Sequence, residues 1–466
     1  MSRVPRWPVV AVFLVVLAVQ LALVGGAGTD IPYQDQWDAE GRQLGPSWFN
    51  GTWQVRDLFA PHNEHRIAWT RALDLALLAV NGAWDPLVEL AANAVVRALA
   101  AGLLLAALLR WAGEPARRWV AVGIAVAFLP HLGWQNALWG FQSQVYFALL
   151  FGLAAFACLA DETPSTSRLI GGVTCGVAAQ LAMGAGLLVP VALAGLLVLR
   201  GLERRGFGGR GRELIAVVTL GVTAGLLRHE TPAHAALHST SWTAVLETFA
   251  QAAAWPHVWT PVAVCGMNLP VLLAVGGRLA RRRTAAPGED FALLLWGWAI
   301  AMAGAMAWTR AGGGEFNGGV PSRYADFLVL LPIANAWCAM ALLRECAAPR
   351  LRLARVLVAA WAGLLLVGWV TLTGEVMRYL ILPRLRDRDA PVRVMVDYQR
   401  TRDSSGWAQL PRLYAPHPDP RSVAVVLADP ALTGRLPPSL QPDHRPGPLS
   451  RGVRFLLGRG PVSQNK

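Results

Sequence analysis

Apolar runs about as long as a bilayer is thick recur along the chain from its first residues to about residue 373. A hydrocarbon core about 30 Å thick takes about 20 helical residues to cross. Within it every backbone N–H and C=O must be paired inside its own segment. That constraint leaves few alternatives, and we read the chain as an all-α polytopic membrane protein. Its make-up agrees, with 54% hydrophobic and 15% charged residues among 466.

The net charge of +13 invites a nucleic-acid partner, but its distribution argues against one. The basic residues are nearly all Arg, with Lys466 the only lysine, and they cluster in short turns between apolar runs. These turns hold Arg110, Arg117 and Arg118, the stretch Arg200 to Arg212, Arg278 to Arg283, and Arg344 to Arg355. That is the positive-inside pattern of a membrane protein, not a basic stripe for phosphates. Cys158, Cys175, Cys265, Cys338 and Cys346 lie in or beside apolar runs without CxxC spacing, and are expected to be packing residues.

The first span, about 7–27, reads as an uncleaved signal anchor, with Arg3 and Arg6 holding the N-terminus in the cytoplasm. The run 67–80 carries Arg71 and Asp74, and a crossing there would strand the Arg110 to Arg118 turn outside. It is expected instead to lie along the interface as an amphipathic helix within a first external loop, 28–85. Further spans are predicted at about 86–110, 117–134, 139–160, 168–184, 185–200, 211–228, 259–279, 290–309, 321–344 and 352–373. Gly184 and Gly186 mark the break inside the long run 168–200. About eleven transmembrane helices put the C-terminus outside. Residues 1–373 form the transmembrane domain, and 374–466, rich in Pro, Arg and Asp, predict a small external domain of loops and short elements. Heavy use of Ala, Gly, Arg and Pro suggests a GC-rich bacterial genome. The expected location is therefore the bacterial inner (plasma) membrane, with a periplasmic C-terminus.

With the cytoplasmic Arg set aside, the remaining polar residues gather on the external side. Asp35 and Asp38 stand three apart, so on a helical turn their carboxylates share a face. Such a pair can supply a general base or hold a divalent cation, Mg or Mn. Pro61 suits a first helical turn, which would put His62 and Arg66 on one face and turn Glu64 away. The cluster His62, Glu64, His65 and Arg66 can bind a phosphate, orient a leaving group or ligate a metal, but it is not the H-E-x-x-H zinc motif. A later turn holds His131, Gln135 and Asn136, followed by Gln142, Gln144 and Tyr146 entering the next span. Arg310 and Arg323, with Tyr324, stand at the outer ends of consecutive spans, where Arg is disfavoured, and point to an anion such as a lipid phosphate. The glycine-rich turn between them, which includes Glu315 and Gly318, lacks the G-K-[ST] of a P-loop and is read as backbone freedom near a ligand. His229, His234 and His238 are expected to be solvated loop histidines.

Three of these stretches carry a family resemblance. Asp35-Gln36-Trp37-Asp38, directly after the first span, matches the position of the early acidic motif of the GT-C superfamily of membrane glycosyltransferases. Pro61 to Arg66, followed by Ile67-Ala68-Trp69, occupies the place of the His-Pro-Pro-Leu-type motif that opens an interfacial helix in many members. Ser322-Arg323-Tyr324-Ala325-Asp326-Phe327 is similar to the Arg-Tyr segments of bacterial members. The D-x-x-D spacing and the Asn-Glu-His in place of two prolines and a leucine mark a separate bacterial branch.

The resemblance implies inverting transfer of a sugar from a polyprenyl-phosphate-linked donor to a cell-envelope acceptor, a glycan, lipid or protein, on the periplasmic face. By it, Asp35 or Asp38 is the base, Arg66 and Arg323 meet the donor phosphate, and polyprenyl phosphate stays in the lipid bilayer. An oligosaccharide polymerase or ligase would carry its largest external loop late in the chain. A transporter or flippase would carry charged or broken helices at the midplane.

Overall fold

Three of the predicted spans begin at a side-chain cap, supplied by Asp85, Ser165 and Thr260. Asp85 accepts a hydrogen bond from Leu87 N ahead of Pro86, and Thr260 accepts one from Ala263 N ahead of Pro261. Both pairs satisfy first-turn donors before a Pro whose fixed φ already suits the helix. The architecture is given by a computed structural model that describes residues 6–257, 260–280, 285–314, 316–317, 319–345, 348–410 and 415–459. Arg3, Arg281, Arg282, Arg283, Glu315, Gly318, Cys346, Pro411 and Lys466 lie outside the described residues.

Eight helical stretches are long and apolar enough to cross a membrane: Trp7–Ala27, Pro86–Leu109, Gly140–Leu159, Gly184–Arg204, Pro261–Leu279, Glu289–Arg310, Ser322–Glu345 and Leu351–Arg386. Helices also occupy the remaining predicted positions, as Glu114–Phe128, Thr166–Gln180 and Gly211–Leu227, but these have only 15, 15 and 17 residues. Regular structure among the described residues is otherwise almost wholly helical, and the only strands are two residues each. The break in the run 168–200 falls at a short 3-10 turn, Gly184–Leu188. A Cβ on Gly186 would lie 1.9 Å from Ala179 O, so only glycine fits that turn.

The arginine-rich ends of the helices meet in a layer of ion pairs. Arg110 pairs with Asp161 at 2.7 Å, Arg200 with Asp290 at 2.5 Å and Glu213 at 3.1 Å, and Arg278 with Asp290 at 2.7 Å. Arg200 and Arg278 are fully buried, so these turns are partly a packed layer and not only a solvated positive rim.

At the other end the first loop folds back over the bundle. Ala68–Asn81 is the expected amphipathic helix, and its Arg71 donates to Asp57 O at 3.0 Å and to Ala60 O. The segment before it departs from expectation. Residues 61–66 form an antiparallel hairpin, Pro61 opposite Arg66 and His62 opposite His65, not the first turn of a helix. Asn63 takes φ +51°, a left-handed conformation that Asn tolerates and that turns the chain there.

The C-terminal region is also drawn differently. Ala348–Val376 continues through Met377–Ile381 to Leu382–Arg386, so the boundary at 373 falls inside one helical run. Beyond it, Met395, Tyr398, Trp407, Val423, Val426, Leu432, Leu436 and Leu440 share a single apolar core with Ile31, Trp37, Leu78 and Trp84 of the first loop. A short proline-rich segment has too little apolar surface to close a core alone, and it closes one against the loop.

Candidate functional site

The acidic motif is positioned from below by a tryptophan. Trp37 is fully buried, donates Nε1 to Pro32 O at 2.9 Å and packs edge-on to Trp84 at 5.7 Å. This anchors a π-helical segment, Trp37–Leu44, and leaves Asp35 and Asp38 on its half-exposed side. The two carboxylates do share a helical stretch, but each meets its own histidine. His62 Nε2 lies 3.8 Å from Asp35 Oδ2, and His417 Nε2 lies 3.0 Å from Asp38 Oδ2. Two bonds hold the His417 segment against the motif, Gln34 N to Pro416 O at 2.6 Å and Gln34 Nε2 to Ala415 O at 2.9 Å.

The hydrogen bond from His417 lowers the Asp38 pKa below its usual range, against the opposing effect of partial burial. Burial works against a charged His417, but the bonds to Asp38 and to the Asp419 backbone, with the charges of Asp38 and Asp35, together outweigh it and raise the imidazole above 6.5. Asp38 is thereby held as an oriented anion. Asp35 is the less encumbered carboxylate, 40% exposed, with a longer contact to its histidine.

An aromatic wall stands beside Asp35. The His62 ring packs on Phe141 at 4.9 Å, Phe141 stacks with Trp139 at 5.9 Å, and Trp139 meets Tyr33 edge-on at 5.3 Å. His62 Nε2 and Trp139 Nε1 are buried and have no hydrogen-bond partner. Behind the hairpin, His65 contacts Gln144 Oε1 at 3.1 Å, and burial pushes its pKa down to about 4, which leaves it neutral at ordinary pH. Arg66 reaches back to Phe59 O, and its Nε is unpartnered.

Glu64 tips away from this wall and ties three loops together. Arg310 donates to it at 2.9 Å and His234 Nδ1 lies 2.5 Å from it. Burial would raise the Glu64 pKa, but the His234 bond and the Arg310 charge bring it below its ordinary value. Two expectations are corrected here. Arg310 is engaged by a carboxylate and is not open to a phosphate, and His234 is a latch residue and not a solvated one. Gly312 accounts for part of the glycine run: its N–H donates to Leu237 O at 2.9 Å, and a Cβ would lie 2.5 Å from His238 O.

Gln135, Asn136 and Gln142 are buried and structural in their contacts. Gln135 Oε1 accepts from Ser322 Oγ at 2.8 Å and Arg323 N at 3.3 Å. Asn136 Nδ2 donates to Arg323 O at 2.9 Å and Asp326 Oδ2 at 2.8 Å. Gln142 accepts from Gln144 at 3.5 Å. Gln135 and Asn136 shape the Arg323–Tyr324 turn, where the guanidinium lies over the tyrosine ring at 5.0 Å and Tyr324 stacks on Phe316 at 6.1 Å. His131 beside them is pushed down to about 3 by burial.

Of the residues singled out in the sequence, the structure places His62 beside Asp35 and His65 against Gln144. Sequence reading misses His417, whose only signal is a rigid Pro416-His417-Pro418 frame far along the chain. No protein-family model, no curated protein and no solved structure matches the chain.

Proposed function

We propose that the chain is a membrane glycosyltransferase of the GT-C kind. In this reading it takes a sugar from a polyprenyl-phosphate donor and transfers it, with inversion, to a cell-envelope acceptor. The reading takes about eleven spans, a cytoplasmic N-terminus, and a site and C-terminal segment on the periplasmic face of a bacterial inner membrane. The observation that carries the reading is the carboxylate–histidine pairing of Asp35 with His62 and Asp38 with His417, beside the wall of Tyr33, Trp139 and Phe141. Aromatic faces of this kind suit the apolar faces of a sugar ring or the prenyl chain.

Asp35 acts as the base. An acceptor hydroxyl beside it attacks the anomeric carbon from the side opposite the phosphate and passes its proton to the Asp35 carboxylate. The bond from that carbon to the phosphate oxygen breaks, and the electron pair leaves with polyprenyl phosphate. His62 orients Asp35, and Asp38, locked by His417, holds the motif in place. Arg66 and Arg323 are assigned to the donor phosphate. Arg310 is assigned to the latch instead. The two carboxylate–histidine pairs work in acid–base chemistry.

The test compares surface glycans and lipid-linked sugars by mass spectrometry in a deletion strain complemented with wild type, Asp35→Asn or Asp38→Asn at matched membrane levels. Loss of one sugar, accumulation of its lipid-linked form and failure of Asp35→Asn to rescue support the reading. Full rescue by both variants rejects it. A second reading, transport of a lipid-linked sugar, draws on one observation: the buried pair Arg97–Asp326, 3.4 Å apart within spanning helices. Movement of donor across proteoliposomes without any transfer to acceptor would favour it.

A further inference from the structure

Behind the acidic motif, on the buried side of the same helix, lies a second group of carboxylates. Glu40 belongs to Trp37–Leu44, Asp74 to Ala68–Asn81, and Glu89 to the first turn of Pro86–Leu109. All three are buried, Asp74 with 3% of its surface exposed, and one ligand oxygen of each lies within 4.8 Å of the others. Hard divalent cations bind carboxylate oxygens at about 2.0–2.6 Å, which spaces ligand oxygens at up to about 5 Å across the ion. The three side chains, with Trp84, Leu78 and Leu432, line a cavity of about 10 Å³. That is room for about one water molecule or one ion.

Spacing alone would not make this a site, but Asp74 adds a second observation. Glu40 and Glu89 have donors: Gln36 Nε2 at 3.3 and 2.6 Å, and Trp84 Nε1 at 2.8 and 3.0 Å. The Asp74 side chain lines the same cavity, and its buried Oδ1 receives no hydrogen bond, nor does Glu40 Oε1. The guanidinium on the same helix, Arg71, is engaged by the carbonyls of Asp57 and Ala60 and by Gln43. Three buried carboxylates therefore gather around an ion-sized void, and among the described residues no cationic side chain is bonded to any of them. A buried carboxylate in that state is among the costliest arrangements a protein can hold.

We propose that Glu40, Asp74 and Glu89 bind one hard divalent cation, Mn²⁺, Mg²⁺ or Ca²⁺, at a site separate from Asp35 and Asp38. The ion would staple the helix that carries the acidic motif to the interfacial helix and to the span beginning at Pro86. The inference stands whether or not the chain transfers a sugar.

The test uses the full chain in nanodiscs, stripped with chelator and titrated with Tb³⁺. Trp84 donates to both Glu40 and Glu89, so excitation of tryptophan should sensitise terbium emission. The expected result is one Tb³⁺ per chain, displaced by Mn²⁺ or Ca²⁺. Affinity should fall about tenfold or more in Asp74→Asn and in Glu40→Gln, and hold in Asp35→Asn. Trp84→Phe should cut the emission severalfold while metal content by mass spectrometry stays at one per chain, which locates the ion even if a carboxylate variant misfolds. Absence of stoichiometric metal in the wild type overturns the proposal, as does affinity unchanged in both carboxylate variants. In the first case the three groups share protons, and Asp74→Asn should raise the melting temperature.

Discussion

Asp35 and Asp38 are separated by three residues and by very different surroundings. Asp38 is held ionised by His417, which suits a structural anion better than a base. Asp35, more exposed and with its longer contact to His62, is the carboxylate that the proposed reaction uses as its base. Asp35→Asn should therefore lower kcat about 10²- to 10⁴-fold with KM little changed, measured with a synthetic lipid-linked donor. Asp38→Asn should lose less in kcat and more in thermal stability. His417 adds a pH dependence with a definite sign. Its pKa is raised in the folded chain, so its bond to Asp38 contributes fully below 6.5 and is lost as pH rises through the raised value. Asp35 and Asp38 are the charges facing it, and Asp38 stays ionised across that range. Hydrogen exchange at residues 415–427, corrected for intrinsic rate, should show less protection at pH 9 than at pH 6. His417→Gln should flatten the difference.

The element that most changes the reading is the hairpin 61–66. As a helix it would have aligned His62 with Arg66 and left Glu64 idle. As a hairpin it puts His62 on a strand beside Asp35 and Glu64 at the turn, where it meets Arg310 and His234. The sequence signals pointed the other way because Pro61 is compatible with either start, and a two-residue strand has no periodicity to detect. The latch is then the testable feature of this element. Glu64→Gln should cost about 1–3 kcal/mol by weakening charged hydrogen bonds. It should also make the 228–241 segment more sensitive to protease while the Asp35 region keeps its protection. Equal sensitivity in wild type and variant would mean the three loops are held by other contacts.

At the scale of the whole molecule, the C-terminal segment is a cover for the first loop. Its core residues interleave with Trp37 and Trp84, the same tryptophans that set the acidic helix and face the carboxylate group behind it. Removing residues 387–466 should expose that core, so the truncated chain is expected to be unstable in detergent and inactive. A truncation that kept full stability would mean the segment is an independent appendage. A finer probe is Trp407→Ala, expected to destabilise by about 3–5 kcal/mol and to loosen His417 without touching it. Thermal melts and exchange at 415–427 would report both effects.

What the sequence determined by itself is the bundle: helix positions follow from apolar length and from capping residues such as Asp85 and Thr260, which act locally. The amphipathic helix at 68–81 was legible too, since a run carrying Arg71 and Asp74 is a poor candidate for a crossing. Candidate residues on the first loop were legible as types, because histidines and carboxylates so close together in sequence have few uses. Their pairing was not. His62 with Asp35, His417 with Asp38, Glu64 with Arg310 and His234, and Glu40 with Asp74 and Glu89 join residues up to 379 positions apart. Only the tertiary structure decided those, because long-range contacts depend on how loops close over the bundle, and neither helical periodicity nor charge parity carries that information.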